Sequence, residues 1–85
     1  NLNMFLDLNG NRMQTGNTST MIFNVDTIVS YVSKFMSLQA GDIITTGTPP
    51  GVGMGKKPQI FLKDGDNLEL KIDNLGQQNS KVVAI

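Results

Sequence analysis

"LNMFLDLNG" occupies residues 2–10. Leu2, Met4, Leu6 and Leu8 alternate with Asn3, Phe5, Asp7 and Asn9. A period of two places the first set on one face of an extended chain and the second on the other. The stretch is therefore predicted to be a strand with one buried face. Asn9-Gly10 ends it with residues that tolerate positive φ at both positions, as a two-residue type I′ hairpin requires. "NRMQ", residues 11–14, then runs back as a short second strand.

The same alternation returns near the other end of the chain. "NLELKID", residues 67–73, sets Leu68, Leu70 and Ile72 against Glu69, Lys71 and Asp73. "KDGD" before it reads as a turn, because Asp-Gly suits positive φ. After it "NLGQQ" turns the chain, and "SKVVAI" is expected to pair back as the last strand.

Between these ends the pattern changes. "TGNTSTMIF" reads as a polar loop leading into an apolar triple. In "VDTIVSYVSKFMS" the residues Ile28, Val29, Val32, Phe35 and Met36 recur at three and four, the helical spacing. Helix is favoured over strand, with Asp26 as N-cap and Lys34 in the last turn. Its β-branched content means that tertiary packing must hold it. Gly41 ends this segment, "DIITT" (residues 42–46) reads as a short strand, and "QIFL" as a brief extended piece. There are no repeats or linkers. The expected fold is mainly β, a roll or mixed sandwich with one α-helix.

At 85 residues the chain is at most one domain. A chain of this size buries only about 60–65% of the surface its unfolded form exposes. Its opening "NLN" lacks an initiator Met and starts as though within a strand, so a piece of a longer protein is expected. Seven basic and seven acidic residues give no electrostatic case for nucleic acid or an anionic membrane. Cysteine and histidine are both absent, which removes disulfides, thiolate chemistry and the commonest general base. No apolar run approaches the roughly 20 residues of a membrane helix. A cytoplasmic location is the expectation. Asn17-Thr18-Ser19 matches the glycosylation pattern, as short sequences often do by chance.

"TTGTPPGVGMGKKP", residues 45–58, is the stretch richest in chemistry-bearing backbone. It is not a nucleotide P-loop. Pro50 stands where the first Gly belongs, Lys57 stands where Ser or Thr belongs, and no helix follows. The dinucleotide fingerprint fails too, since Gly51, Gly53 and Gly55 are spaced two and two. What remains is Thr48 between Gly47 and Pro49. Pro49 fixes its own φ and biases Thr48 to an extended conformation. One hydroxyl and neighbouring amides could thus face a carboxylate. A plain turn containing Thr is the other reading. Lys56 and Lys57 are either rim charges for an anionic substrate or a solvated surface. Asp64 and Asp66 flank Gly65 as in a hairpin turn, and the EF-hand pattern fails because Leu75 occupies the twelfth position. Asp7 and Asp73 fall on polar strand faces and are expected to be solvated. No carboxylate pair stands out as an acid/base couple. The five Met suit adaptable packing.

These residues also carry a resemblance. Asn-Gly-X-X-X-Gln at 9–14, Thr-Ser-X-Met-Ile-Phe at 18–23, Leu-X-X-Gly-Asp-Ile-Ile at 38–44, Thr-Gly-Thr-Pro-X-Gly-Val-Gly at 46–53 and Phe-Leu-Lys-X-Gly-Asp at 61–66 all occur. Together they resemble the C-terminal part of the fumarylacetoacetate hydrolase family, over nearly the whole chain. The resemblance is nearest to its acylpyruvate hydrolase and 2-hydroxyhepta-2,4-diene-1,7-dioate isomerase branch. It implies that residues 1–85 form part of a catalytic domain, usually dimeric. It implies a Mg²⁺ or Mn²⁺ ion held by two Glu and one Asp, with a 2-oxo acid chelated to it. It implies a substrate-carboxylate contact from Thr48, with Gly47 and Pro49 shaping the loop. The family's metal ligands, catalytic lysine and lid residues match nothing in this chain, so no catalytic or metal residue is assigned to it. The expectation is a metal-dependent hydrolase, isomerase or decarboxylase of small 2-oxo acids whose 85-residue piece is itself inactive. Association with the missing part of the chain or with a second copy is expected. The alternative is a non-catalytic scaffold or self-associating β-domain of the same fold.

Overall fold

The computed structural model describes all 85 residues. Four strands form one antiparallel sheet: β1 (Asn3–Leu8), β2 (Asn11–Asn17), β3 (Asn67–Ile72) and β4 (Gly76–Lys81), in the order β2-β1-β3-β4. A single helix, α1 (Val25–Ser33), and a long irregular segment lie between β2 and β3. The mainly-β expectation holds.

The hairpin β1–β2 turns at Asn9 and Gly10, with φ of 51° and 81°. Both values lie in the region a type I′ turn demands. β1 then pairs with β3 so that Met4, Leu6 and Leu8 lie opposite Ile72, Leu70 and Leu68. One face of the sheet is thus an aliphatic block, as the alternation predicted.

β2 is longer than "NRMQ" and carries a bulge. Leu6 pairs with Gln14 while Asp7 pairs with Arg12, so Met13 is an extra residue. In a regular strand Arg12, Gln14 and Gly16 would share a face. The extra residue turns Arg12 to the other side. There its guanidinium lies 3.9 Å from the Phe5 ring centre and pairs with the Asp7 carboxylate. Asp7 is therefore an ion-pair partner rather than a solvated acid. Asp73 is engaged as well, its Oδ2 accepting from the Asn3 amide at 3.0 Å.

The two halves of the sheet are fastened at Asn9 and Asp66. The Asn9 Nδ2 donates to Asp66 Oδ1 at 2.9 Å, and the Asn67 amide donates to Asn9 Oδ1 at 2.8 Å. Asp66 Oδ2 accepts from the Lys63 amide at 2.8 Å, closing the "KDGD" turn. Asp66 and Leu8 are the two buried residues of the chain. The Asn9 amide and the Lys63 N–H, with smaller help from the Lys63 charge, hold the Asp66 carboxyl below its ordinary range against the opposing effect of burial. A folded-state pKa below the unfolded one adds stability above the unfolded value, near 3.9, and loses it as pH falls through the folded value. Asp66→Asn should lower the melting temperature at neutral pH and leave it nearly unchanged in strong acid. Thermal scans across pH of the longest chain that folds check this.

Helix α1 differs from expectation at both ends. Asn24, not Asp26, is the N-cap: its Oδ1 accepts from the Thr27 amide at 2.8 Å, and Asp26 sits in the first turn. Lys34 is the C-cap, and Phe35 and Met36 fall beyond the helix. Residues 42–46 form no strand. β-branched residues favour an extended path, but a strand needs a ladder partner, and none lies beside them here. The last strand also sits earlier than "SKVVAI", because Gly76 turns at φ 97° directly into β4. Residues 15–17 belong to β2, and the loop before α1 contains a 3₁₀ turn at Thr18–Thr20, capped by the Asn17 side chain.

Leu8 is the one hydrophobic residue buried in the chain. Ile22, Phe23, Val25, Tyr31, Phe35 and Ile43 are all exposed. The accessible surface is 6982 Å². A compact monomer of this mass would show about 4,900 Å². The radius of gyration is 15.7 Å, against about 12 Å for a compact chain of this length. The elements are regular, yet their apolar faces are uncovered.

Candidate functional site

The loop after residue 45 lies against β2 at Met13, Gln14 and Gly16, and glycine sets how closely it approaches. A Cβ built on Gly51, whose φ is 112°, would stand 2.0 Å from the Met13 carbonyl oxygen. A Cβ on Gly16 would stand 2.8 Å from the Pro49 ring. No side chain fits at either place. The loop therefore seats against the strand just where the bulge occurs.

From there Gln14 reaches the loop. Its Nε2 lies 2.8 Å from Thr48 Oγ1 and 2.8 Å from the Pro49 carbonyl oxygen. Gly47 at φ 96° turns the backbone into Thr48. Thr48 is exposed and Pro49 half-buried. The three residues singled out in the sequence thus stand together. Gln14, which holds two of them, was missed as a site residue. Its signal was the last position of Asn-Gly-X-X-X-Gln, a motif noted only for the likeness it carried.

Thr48 faces a groove of about 510 Å³ between the strand hairpin, the segment after β2 and α1. Met4, Met21, Phe23 and Ile28 supply apolar wall, and Thr18, Thr20, Thr46 and Thr48 supply hydroxyls. This size and mixture suit a small organic ligand. No charged side chain lines it. A carboxylate here would meet hydroxyls from this chain, and its charge would be balanced by groups elsewhere.

Lys56 and Lys57 line a separate hollow of about 470 Å³ with Gly51, Val52, Gly55, Pro58 and Ile60. No side chain from the sheet anchors them, and Lys57 is exposed. Asp64 Oδ1 accepts from the Ala84 amide at 3.0 Å, so it ties down the C-terminal segment. No three carboxylates or other ligating side chains cluster anywhere in the chain. The residues present do not fit a divalent ion held by these 85 residues alone. No helix is long and apolar enough to cross a membrane.

Comparison with known proteins accounts for the architecture. The chain belongs to the fumarylacetoacetate hydrolase family: the description of that family's C-terminal region, "Fumarylacetoacetate (FAA) hydrolase C-terminal", matches residues 1–83. Among curated relatives, the 2,4-didehydro-3-deoxy-L-rhamnonate hydrolase of Sphingomonas sp. (strain SKA58) is 61% identical over 82 residues, covering 95% of this chain and 29% of its own. The fumarylacetoacetate hydrolase structure from Exiguobacterium antarcticum superposes with a TM-score of 0.93 at 42% identity, covering 99% of this chain and 30% of that one. The fumarylpyruvate hydrolase of Pseudomonas aeruginosa, solved with Mn²⁺ and pyruvate, gives 0.85 at 32% identity, with coverage of 99% and 33%. The chain thus spans about three-tenths of the length of the proteins it matches. The sheet and helix are the C-terminal part of the family fold.

Proposed function

We propose that residues 1–85 are the C-terminal part of the catalytic domain of a hydrolase acting on 2,4-dioxo acids, the acylpyruvate type. The observation that carries this reading is the Gln14-anchored Thr48 hydroxyl, set at the edge of a ligand-sized groove. The activities of the relatives agree with it. One is a hydrolase of a 2,4-didehydro acid, and another was solved with pyruvate, the fragment such hydrolysis releases.

In the proposed reaction water adds to the C4 carbonyl and the C3–C4 bond breaks. The electron pair stays on C3 as the enolate of pyruvate, which takes a proton to become pyruvate, and the acyl part leaves as a carboxylic acid. The part of this chain is to hold the C1 carboxylate. Thr48 donates a hydrogen bond to it, Gly47 and Pro49 keep the loop in place, and the apolar wall from Met4 to Ile28 takes the rest of the substrate. The P. aeruginosa relative carries Mn²⁺. A divalent ion in the full-length protein would be held by residues outside these 85. The uncovered faces of α1 and the sheet are taken to pack against the rest of that protein or a second copy, in the cytoplasm. The reading is tested by whether the full-length protein releases pyruvate from an acylpyruvate.

A further inference from the structure

We propose that Gln14 is a positioning residue that sets Thr48 as a hydrogen-bond donor, so that the groove selects an anionic or carbonyl oxygen at that point. This rests on the carboxylate-site reading given above and adds to it how the hydroxyl is oriented.

The orientation follows from the inventory of donors and acceptors. The Pro49 carbonyl oxygen can only accept. The Gln14 amide group 2.8 Å away must therefore present its NH₂, since its own oxygen in that place would set two acceptors against each other. The NH₂ has two hydrogens. One goes to Pro49, and the other points to Thr48 Oγ1, also at 2.8 Å. The Thr48 oxygen is then an acceptor from Gln14, and its own proton is left to point away from Gln14, toward the groove. A hydroxyl in that state has its proton free to donate to an oxygen with a free lone pair, as a carboxylate or carbonyl presents.

Two of the three other hydroxyls of the wall are held differently. Thr20 Oγ1 donates to the Asn17 carbonyl at 2.8 Å, so its proton is already spent inside the chain. Thr18 Oγ1 accepts from the Leu2 amide at 2.8 Å, which fixes it to the start of β1. Thr48 alone among these three is oriented by a side chain from another element. The bulge at Met13 and the bare Cα of Gly51 bring strand and loop within reach of that bond. Gln14 touches no reacting atom. It acts through Thr48.

The test is a double-mutant cycle in the full-length protein, read as the affinity for pyruvate with Mn²⁺ present. Thr48→Val should weaken pyruvate about tenfold or more, as loss of a hydrogen bond to a charged group does. Gln14→Leu should weaken it about three- to tenfold by freeing the hydroxyl to turn. The double variant should match Thr48→Val within about twofold, because the two residues act through one bond. Gln14→Met has nearly the same length but neither donor nor charge, and supplies the same comparison should the leucine variant fold poorly. Gln14 variants that bind like wild type would overturn the proposal, as would effects that simply multiply in the double variant. An unchanged affinity in Thr48→Val would overturn the carboxylate-site reading itself, and this inference with it.

Discussion

In the full-length protein, Thr48→Val should raise KM for an acylpyruvate about 10- to 100-fold, with a smaller fall in kcat. Valine keeps the shape of threonine and removes only the hydroxyl. A hydrogen bond to a charged group contributes about 1.5–3 kcal/mol, and each 1.4 kcal/mol is about tenfold in affinity. The C1 carboxylate lies two bonds from the carbon that keeps the electron pair, so its contact with Thr48 changes little as C3–C4 breaks. An interaction felt equally in ground and transition states moves KM more than kcat. Some loss of kcat is expected too, since a looser carboxylate misaligns the C4 carbonyl. Thr48→Ser, which keeps the hydroxyl, should stay within about threefold of wild type. Steady-state kinetics on the three proteins check this.

The second large effect concerns the isolated 85-residue chain. Leu8 is its only buried hydrophobic residue. Its surface exceeds that of a compact monomer by about 2,000 Å², an excess within the range buried in an obligate interface. The chain alone should therefore give a broad thermal profile without a cooperative step, and should self-associate through its uncovered apolar faces and its β4 edge. It should turn over no substrate. Calorimetry and sedimentation together decide the matter. A sharp transition in a clean monomer would mean that these elements fold as an independent unit, which would favour a scaffold role over a catalytic one.

What could be read from the sequence was what local physics decides. Asn9-Gly10 declared its hairpin because few dipeptides tolerate positive φ twice. β3 declared itself by alternation, since its partner β1 carries the same aliphatic face. β4 was misplaced because "GQQNSK" has no apolar member to alternate: it is an edge strand exposed along its whole length. Residues 42–46 had the composition of a strand but no partner in this chain. The bulge at Met13 left no mark in "NRMQ", yet it decides that Arg12 faces Phe5 while Gln14 faces the loop. For the site, Thr48, Gly47 and Pro49 could be singled out from the loop's own chemistry. Gln14 lies 34 positions from Thr48, and no periodicity links them. Only the folded hairpin and the seating of Gly51 on Met13 bring them together.

We expect this loop to serve C–C hydrolysis of a 2,4-dioxo acid. This is tested most directly by incubating the full-length protein with acetylpyruvate and Mn²⁺ and counting products. One pyruvate and one acetate should form for each molecule consumed. Acetylpyruvate left intact, or converted without release of pyruvate, would contradict it.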